Sequence, residues 1–143
     1  MNAYEKAVKL LSQREHTAKE IERKLSDKGY FKEEIEEAIS KLLSIGYISE
    51  ERFAEGYIRS RLRKCAEGRS LLRLRLKEKG TPSNIADECL SKAWEDRLYF
   101  DVLKKEYMAL LQKHGEEKAM MKLQAKGFTY SEIKEAKTED FDF

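Results

Sequence analysis

One pattern recurs three times along this chain: an apolar residue, three residues of any kind, leucine, two more residues, then Lys-Gly. It occurs as Ile21–Leu25–Lys28–Gly29, as Leu72–Leu76–Lys79–Gly80 and as Ala119–Leu123–Lys126–Gly127, with the glycines 51 and 47 residues apart. A glycine at that place suits the left-handed turn that closes a helix. After each glycine come an aromatic or small residue, a polar or proline start, and a new amphipathic stretch entered through Ile35, Ile85 or Ile133. A pattern repeating at such intervals predicts tandem supersecondary units. The copies are not identical: Gly80 to Ile85 is one residue shorter than its counterparts, and Ala119 stands where the others have Ile or Leu.

Apolar residues elsewhere follow helical spacing, as in Ile35–Ala38–Ile39–Leu42–Leu43 and Phe53–Tyr57–Ile58–Leu62, and no stretch alternates for long with period two. The chain therefore reads as all-α. The predicted helices span 3–14, 17–28 and 32–45, then 50–65, 69–79 and 82–94, then 96–113, 115–126 and 130–137. Residues 1–49, 50–95 and 96–138 form three tandem three-helix repeats in this reading, with 139–143 as an acidic tail. Pro82, the only proline, suits a helix start. Thr17 with Glu20 has the form of a capping box, and Ser49 suits the cap of the next unit's first helix. Tyr47 and Ile48 are expected to staple the first repeat to the second. Units of under 50 residues have small cores, so neighbours are expected to pack in an elongated or crescent-shaped array.

Charged residues make up 39% of the chain, far above the usual quarter or so, yet 41% is hydrophobic. That combination predicts a folded protein with a heavily charged surface. The net charge of +2 says nothing about partners, but its distribution does. From residue 59 to 79 stand Arg59, Arg61, Arg63, Lys64, Arg69, Arg73, Arg75, Lys77 and Lys79 against only Glu67 and Glu78, an excess of +7 in 21 residues. The preceding stretch, Lys32 to Glu55, has a balance of −4. On a helix Arg69, Arg73 and Lys77 form one stripe at i, i+4 and i+8, and Arg59 and Arg63 repeat that spacing on the helix before. Two adjacent basic stripes suit phosphates or an acidic protein. The competing reading is a solvated face balanced by glutamates of the first repeat. Arg75 and Lys79 fall among the leucines, where they snorkel, pair with acidic residues of the first repeat, or meet a partner.

No catalytic constellation is visible, so no enzymatic activity, cofactor or metal is expected. His16 and His114 stand alone in polar turns and read as surface histidines. Cys65 and Cys89 lack metal-ligand spacing and read as reduced thiols. The start of the chain has no signal-peptide pattern and no apolar run approaches a membrane span, so a cytoplasmic location and no membrane partner are expected. The segment Thr138–Phe143, acidic and interleaved with aromatics, reads as a frayed tail or as a flap over the basic stripe.

The run GYISEERFAEGYIRSRLRK, Gly46 to Lys64, followed by EGRSLLRLRLKEKGTPSNIA, Glu67 to Ala86, resembles the central signature of the RecX regulatory proteins. Ala7 to Ile48 is similar to that family's N-terminal unit, and the third unit resembles it more loosely. The resemblance implies tandem three-helix repeats and a monomeric regulator that binds the filament formed by the RecA recombinase on DNA. It further implies inhibition of ATP hydrolysis, strand exchange and co-protease activity, by binding in the filament groove or capping its end. The basic residues Arg59 to Lys79 match the family's basic central region and take a filament-contact or DNA-contact role as a group, with weaker, salt-sensitive binding to bare single- or double-stranded DNA. Two other readings stand beside it: a sequence-specific DNA reader, for which the helices after Lys32 and Pro82 are poorly suited, and a protein-interaction scaffold without nucleic-acid contact.

Overall fold

The computed structural model describes residues 1–139. Within them lie nine α-helices and no strand: α1 (Ala3–Gln13), α2 (Ala18–Asp27), α3 (Lys32–Ser44), α4 (Glu50–Lys64), α5 (Arg69–Lys79), α6 (Ser83–Glu95), α7 (Leu98–His114), α8 (Glu116–Ala125) and α9 (Tyr130–Glu139). Each three consecutive helices pack on one another, and α7 also packs on α4 and α6, giving an elongated all-α array. Helix α9 runs to Glu139, so only the part of the expected acidic tail at 140–143 lies outside the described residues.

Side chains set the helix starts. Asn2 accepts from the Glu5 amide at 2.8 Å, and Thr17 with Glu20 forms the reciprocal capping box. Thr129 and Glu132 form another: the Thr129 amide donates to Glu132 at 2.8 Å and the Glu132 amide donates to Thr129 Oγ1 at 3.1 Å. Helix α7 starts two residues later than its periodicity predicts. There Arg97 takes a left-handed conformation and stacks its guanidinium 4.1 Å from the Phe100 ring centroid.

The repeated Lys-Gly pattern is a helix stop with one geometry. Tyr30, Thr81 and Phe128, each following the glycine, donate to the carbonyls of Leu25, Leu76 and Leu123 at 3.0 to 3.2 Å. The glycines donate to Ser26, Lys77 and Gln124, completing a Schellman turn. All three glycines have φ between +91° and +95°. The three leucines are fully buried, so the motif couples a core residue to the turn that ends its helix.

These turns also join the units. Lys79 C=O accepts from Thr17 Oγ1 at 2.7 Å, which sets the end of α5 on the start of α2. Lys126 C=O accepts from the Gly68 amide at 2.9 Å and Gly127 C=O from the Ser70 amide at 3.1 Å, which sets the end of α8 on the start of α5. The approach is close enough that a Cβ at Gly80 would lie 2.6 Å from Lys19 Cβ, and one at Gly127 only 2.6 Å from Leu71 Cβ. A Cβ at Gly29 would meet nothing within 4 Å among the described residues.

The core is divided unequally. Ala3, Ala7, Ile21, Leu25, Ile35, Ala38, Leu42 and Ile48 form one cluster within α1 to α3. A second, continuous cluster runs from Phe53 and Ile58 through Leu72, Leu76 and Leu90 to Phe100, Leu103, Leu123 and Ile133, so α4 to α9 share one interior. Phe100 is its keystone, 2% exposed, with Trp94 edge-on at 5.3 Å.

Between the two cores the contact is polar. The Ala18 amide donates to Glu50 Oε1 at 2.8 Å, and Arg52 donates to Glu15 Oε1 at 2.8 Å and to the carbonyls of Gly46 and Tyr47 at 2.9 and 3.1 Å. Burial, with Glu20 near, pushes the Glu50 carboxyl above its ordinary value. Arg52 is thus the connector; Tyr47, expected to staple the repeats, is 45% exposed, and Ile48 is buried in the first core. The reason is the left-handed Gly46, which turns the chain so that only Ile48 faces inward.

Replacing a turn glycine should separate conformational strain from steric blockage. Gly29→Ala is expected to cost about 1 kcal/mol, the strain of a left-handed alanine. Gly127→Ala should cost about 3 kcal/mol, because the new methyl also meets Leu71. Urea unfolding of the two variants checks the order; equal losses would mean the inter-unit approach carries no energy.

A candidate basic interface

The nine cations of the basic stretch all lie on α4 and α5, four on the first and five on the second. The loop between these helices, Cys65–Gly68, turns Glu67 inward until it is only 2% exposed. Arg61 Nε donates to Glu67 Oε1 at 2.6 Å from α4, and Arg75 Nε donates to Glu67 Oε2 from α5. The Cys65 thiol adds a contact to Oε1 at 3.4 Å. Burial alone would push this carboxyl up, but the hydrogen bonds from Arg61 and Arg75 outweigh it and hold the group below its ordinary value. One buried anion therefore fixes two arginines and, through them, the angle between the two basic helices.

Two more are held by α6, one of them through a carboxylate. Arg73 Nε donates to Asp87 Oδ1 at 2.7 Å, while Arg69 donates to the Asp87 carbonyl at 3.3 Å and to Ser91 Oγ at 3.0 Å. The hydrogen bond from Arg73 lowers the Asp87 carboxyl. The stripe Arg69–Arg73–Lys77 is therefore not uniform: its first two members bond to α6, Arg73 while still 48% exposed, and Lys77 is exposed as well. The acidic partners come from the same unit, whereas the sequence had pointed to glutamates of the first repeat. Arg75 in particular pairs with Glu67.

Arg59, Arg63, Lys64, Lys77 and Lys79 are exposed. Lys77 and Lys79 border an open groove of about 610 Å³ between α2 and the end of α5, where Lys19 and Arg23 face Glu22, Asp27 and Glu78. Leu74, 52% exposed, stands on the same helix between Arg73 and Arg75. The arrangement offers exposed cations around a set of paired arginines, a surface for phosphate oxygens or carboxylates. Among the described residues, no three His, Cys, Asp or Glu side chains converge on a metal-sized site, and no helix is long and apolar enough to cross a membrane.

His16 corrects the sequence reading. It is 1% exposed, because the end of the second unit lies over the α1–α2 loop. Nδ1–H donates to the Arg14 carbonyl at 2.9 Å and Nε2 accepts from the Lys24 ammonium at 3.0 Å, a pattern that needs the neutral ring. Burial pushes its pKa down. His16 precedes the start of α2 as Glu67 precedes the start of α5, so both units bury a polar residue at this place. Sequence reasoning missed Glu67 as well; its small neighbours Ala66 and Gly68, both buried, were the available signal.

Glu67→Gln should remove the anion while keeping the shape, at a cost of about 2 kcal/mol, the usual worth of hydrogen bonds to a charged group. The sign follows from the lowered carboxyl: its contribution is present at neutral pH and is lost as pH falls through the carboxylate range. Urea unfolding at pH 7 and at pH 4 tests this, since the variant's deficit should shrink at the lower pH.

The comparisons with known proteins agree with this architecture. A family model described as RecX, first three-helix domain, matches residues 3–42, and one described as RecX, second three-helix domain, matches residues 49–90. The chain is 32% identical over 136 residues to the regulatory protein RecX of Chlorobaculum tepidum, covering 94% of this chain and 85% of that one. It is 34% identical over 134 residues to the regulatory protein RecX of Pelodictyon phaeoclathratiforme, covering 91% and 83%. The crystal structure of RecX from Lactobacillus salivarius superposes with a TM-score of 0.86 at 28% identity, covering 96% of this chain and 93% of that one. With both family models placed on successive helix triplets, and full-length relatives on either side of one third identity, the chain belongs to the RecX family of regulatory proteins.

Proposed function

We propose that this chain regulates a RecA-type recombinase by binding the recombinase–DNA filament, in its groove or at its end, and restraining ATP hydrolysis, strand exchange and co-protease activity. It does so by occupancy, without chemistry of its own. The observation that carries the reading is the division of the basic stretch: Glu67 pairs with Arg61 and Arg75, the Asp87 carboxylate with Arg73 and its backbone carbonyl with Arg69, while Arg59, Arg63, Lys64, Lys77 and Lys79 are exposed outside these contacts. The first four act as a frame and the last five as the contact group. A frame of that kind keeps like charges apart at fixed spacing, which is what a helical row of phosphates or acidic recombinase side chains requires. Bare DNA offers only part of that surface and binds more weakly.

The test is single-stranded-DNA-dependent ATP hydrolysis by the cognate recombinase, titrated with wild type and with an Arg63→Glu, Lys64→Glu, Lys77→Glu variant of unchanged helicity. Wild type should suppress hydrolysis; the variant should need at least about tenfold more protein, since it loses about three phosphate contacts. Raising salt from about 50 to 200 mM should weaken wild type at least about tenfold and the variant less. A variant as potent as wild type would remove the basic surface from the mechanism.

A further inference from the structure

The joint between the first unit and the rest of the array is built around a buried histidine. His16 stands on the α1–α2 loop, 1% exposed, beneath the end of α5, where Thr17 Oγ1 donates to the Lys79 carbonyl at 2.7 Å. Its Nδ1–H donates to the Arg14 carbonyl and its Nε2 accepts from the Lys24 ammonium at 3.0 Å, so the site fits the ring only without its second proton. Both buried side-chain atoms left without a partner among the described residues lie around the same joint. They are Glu50 Oε2, whose companion oxygen takes the Ala18 amide, and Thr81 Oγ1, next to the Gly80 that abuts Lys19.

The groups packed around the ring offer an added proton no acceptor. From α2 comes Lys24, already a cation against Nε2, and from the loop comes Arg14, whose guanidinium is bound to Glu20 at 3.1 Å. Glu20, 5% exposed, is a carboxylate that favours an imidazolium, but its oxygens are taken by Arg14 and by the Thr17 amide. From α4 comes Glu50, committed to Ala18, and from α5 the Lys79 end, which turns a carbonyl toward Thr17. Burial, reinforced by Arg14 and Lys24, holds the ring below its ordinary value.

We propose that this joint is a proton-sensitive latch: neutral His16 keeps the first three helices closed on the end of α5, and protonation of Nε2 releases them. The proton removes the acceptor that Lys24 uses and sets two cations 3.0 Å apart beneath α5. Swinging α1 to α3 away from α5 returns the ring to water, where it titrates near about 6.5. The closed form binds the proton less well than the open one. The ratio of open to closed chain therefore rises as pH falls below about 6.5, by up to about tenfold per pH unit, until the lower pKa of the closed form is passed. Glu50 acts in the opposite sense: burial and Glu20 raise its carboxyl, so its protonation favours the closed form. Opening also parts Lys19 and Arg23 on α2 from Lys77 and Lys79 on α5, the cations that border the open groove, so acidification divides part of the candidate interface. None of this depends on what that interface binds, and the free chain is enough to test it.

The experiment works in a Cys65→Ser background, where the remaining Cys89 is buried, with a dye pair on Ser40→Cys of α3 and Gln124→Cys of α8. Between about pH 7.5 and 5.5 the population with low energy transfer should grow at least about fivefold, reversibly and with helicity unchanged by circular dichroism. His16→Gln, uncharged at every pH, should show no such growth, and Glu50→Gln, which removes the opposing titration, should enlarge it. Lys24→Met takes away the facing cation and should shrink it. Proton NMR reads the ring directly, since the chain has only two histidines. The His16 signal should titrate below about 6.5 in the parent chain and nearer that value in Lys24→Met. Energy transfer that stays constant with pH in both the parent and Glu50→Gln chains, a response that survives His16→Gln, or a His16 signal titrating at its ordinary value would each overturn the proposal.

Discussion

The array rests on one exchange between helix ends. A helix leaves carbonyls without partners at its close and amides without partners at its start, and burying either without a substitute is costly. Here the left-handed glycine turns the last carbonyls of α5 and α8 outward, toward Thr17 on one side and toward the amides of Gly68 and Ser70 on the other. The leucine four residues before the glycine anchors each turn in its own core. One short motif thus ends a helix, ties it to the interior and spaces the next unit. That explains why the Lys-Gly pair outlasts sequence drift that has replaced Ile21 by Leu72 and Ala119 at the start of the same motif.

The excess of positive charge is arranged by two carboxylates that could not neutralise it. Glu67 is buried and joins α4 to α5; Asp87 is half-buried and joins α5 to α6. Glu67 takes two arginines and Asp87 one, with Arg69 on the Asp87 backbone carbonyl, and the planar guanidinium groups suit such geometry better than lysine would. All three lysines of the stretch are on the exposed side of this division, joined by Arg59 and Arg63. Arginines held by carboxylates and cations outside these pairs therefore alternate within a single run of sequence.

Helix number, class and most boundaries were legible because the apolar spacing and the Lys-Gly stops are local signals, and the ends agree to within two residues. The density of cations was equally plain. Their division was not, because it depends on a four-residue loop folding Glu67 under two helices and on α6 lying along α5. His16 misled for the same reason: its loop is polar in sequence and becomes interior only when α5 ends over it. The merging of α4 to α9 around one core was hidden too, since it follows from α7 packing on both α4 and α6 rather than from the composition of any of them.

The unequal division of the core gives the array uneven stiffness. From α4 to α9 a continuous apolar interior resists bending, because any hinge there would open packed contacts along its length. Between α3 and α4 the joint consists of Thr17, Glu50, Arg52 and a handful of carbonyls, whose hydrogen bonds water can replace one at a time. Under load the molecule should yield at that joint first, its first three helices swinging as a unit while the other six hold their shape. A stiff body with one compliant arm thus follows from leaving apolar residues out of a single seam.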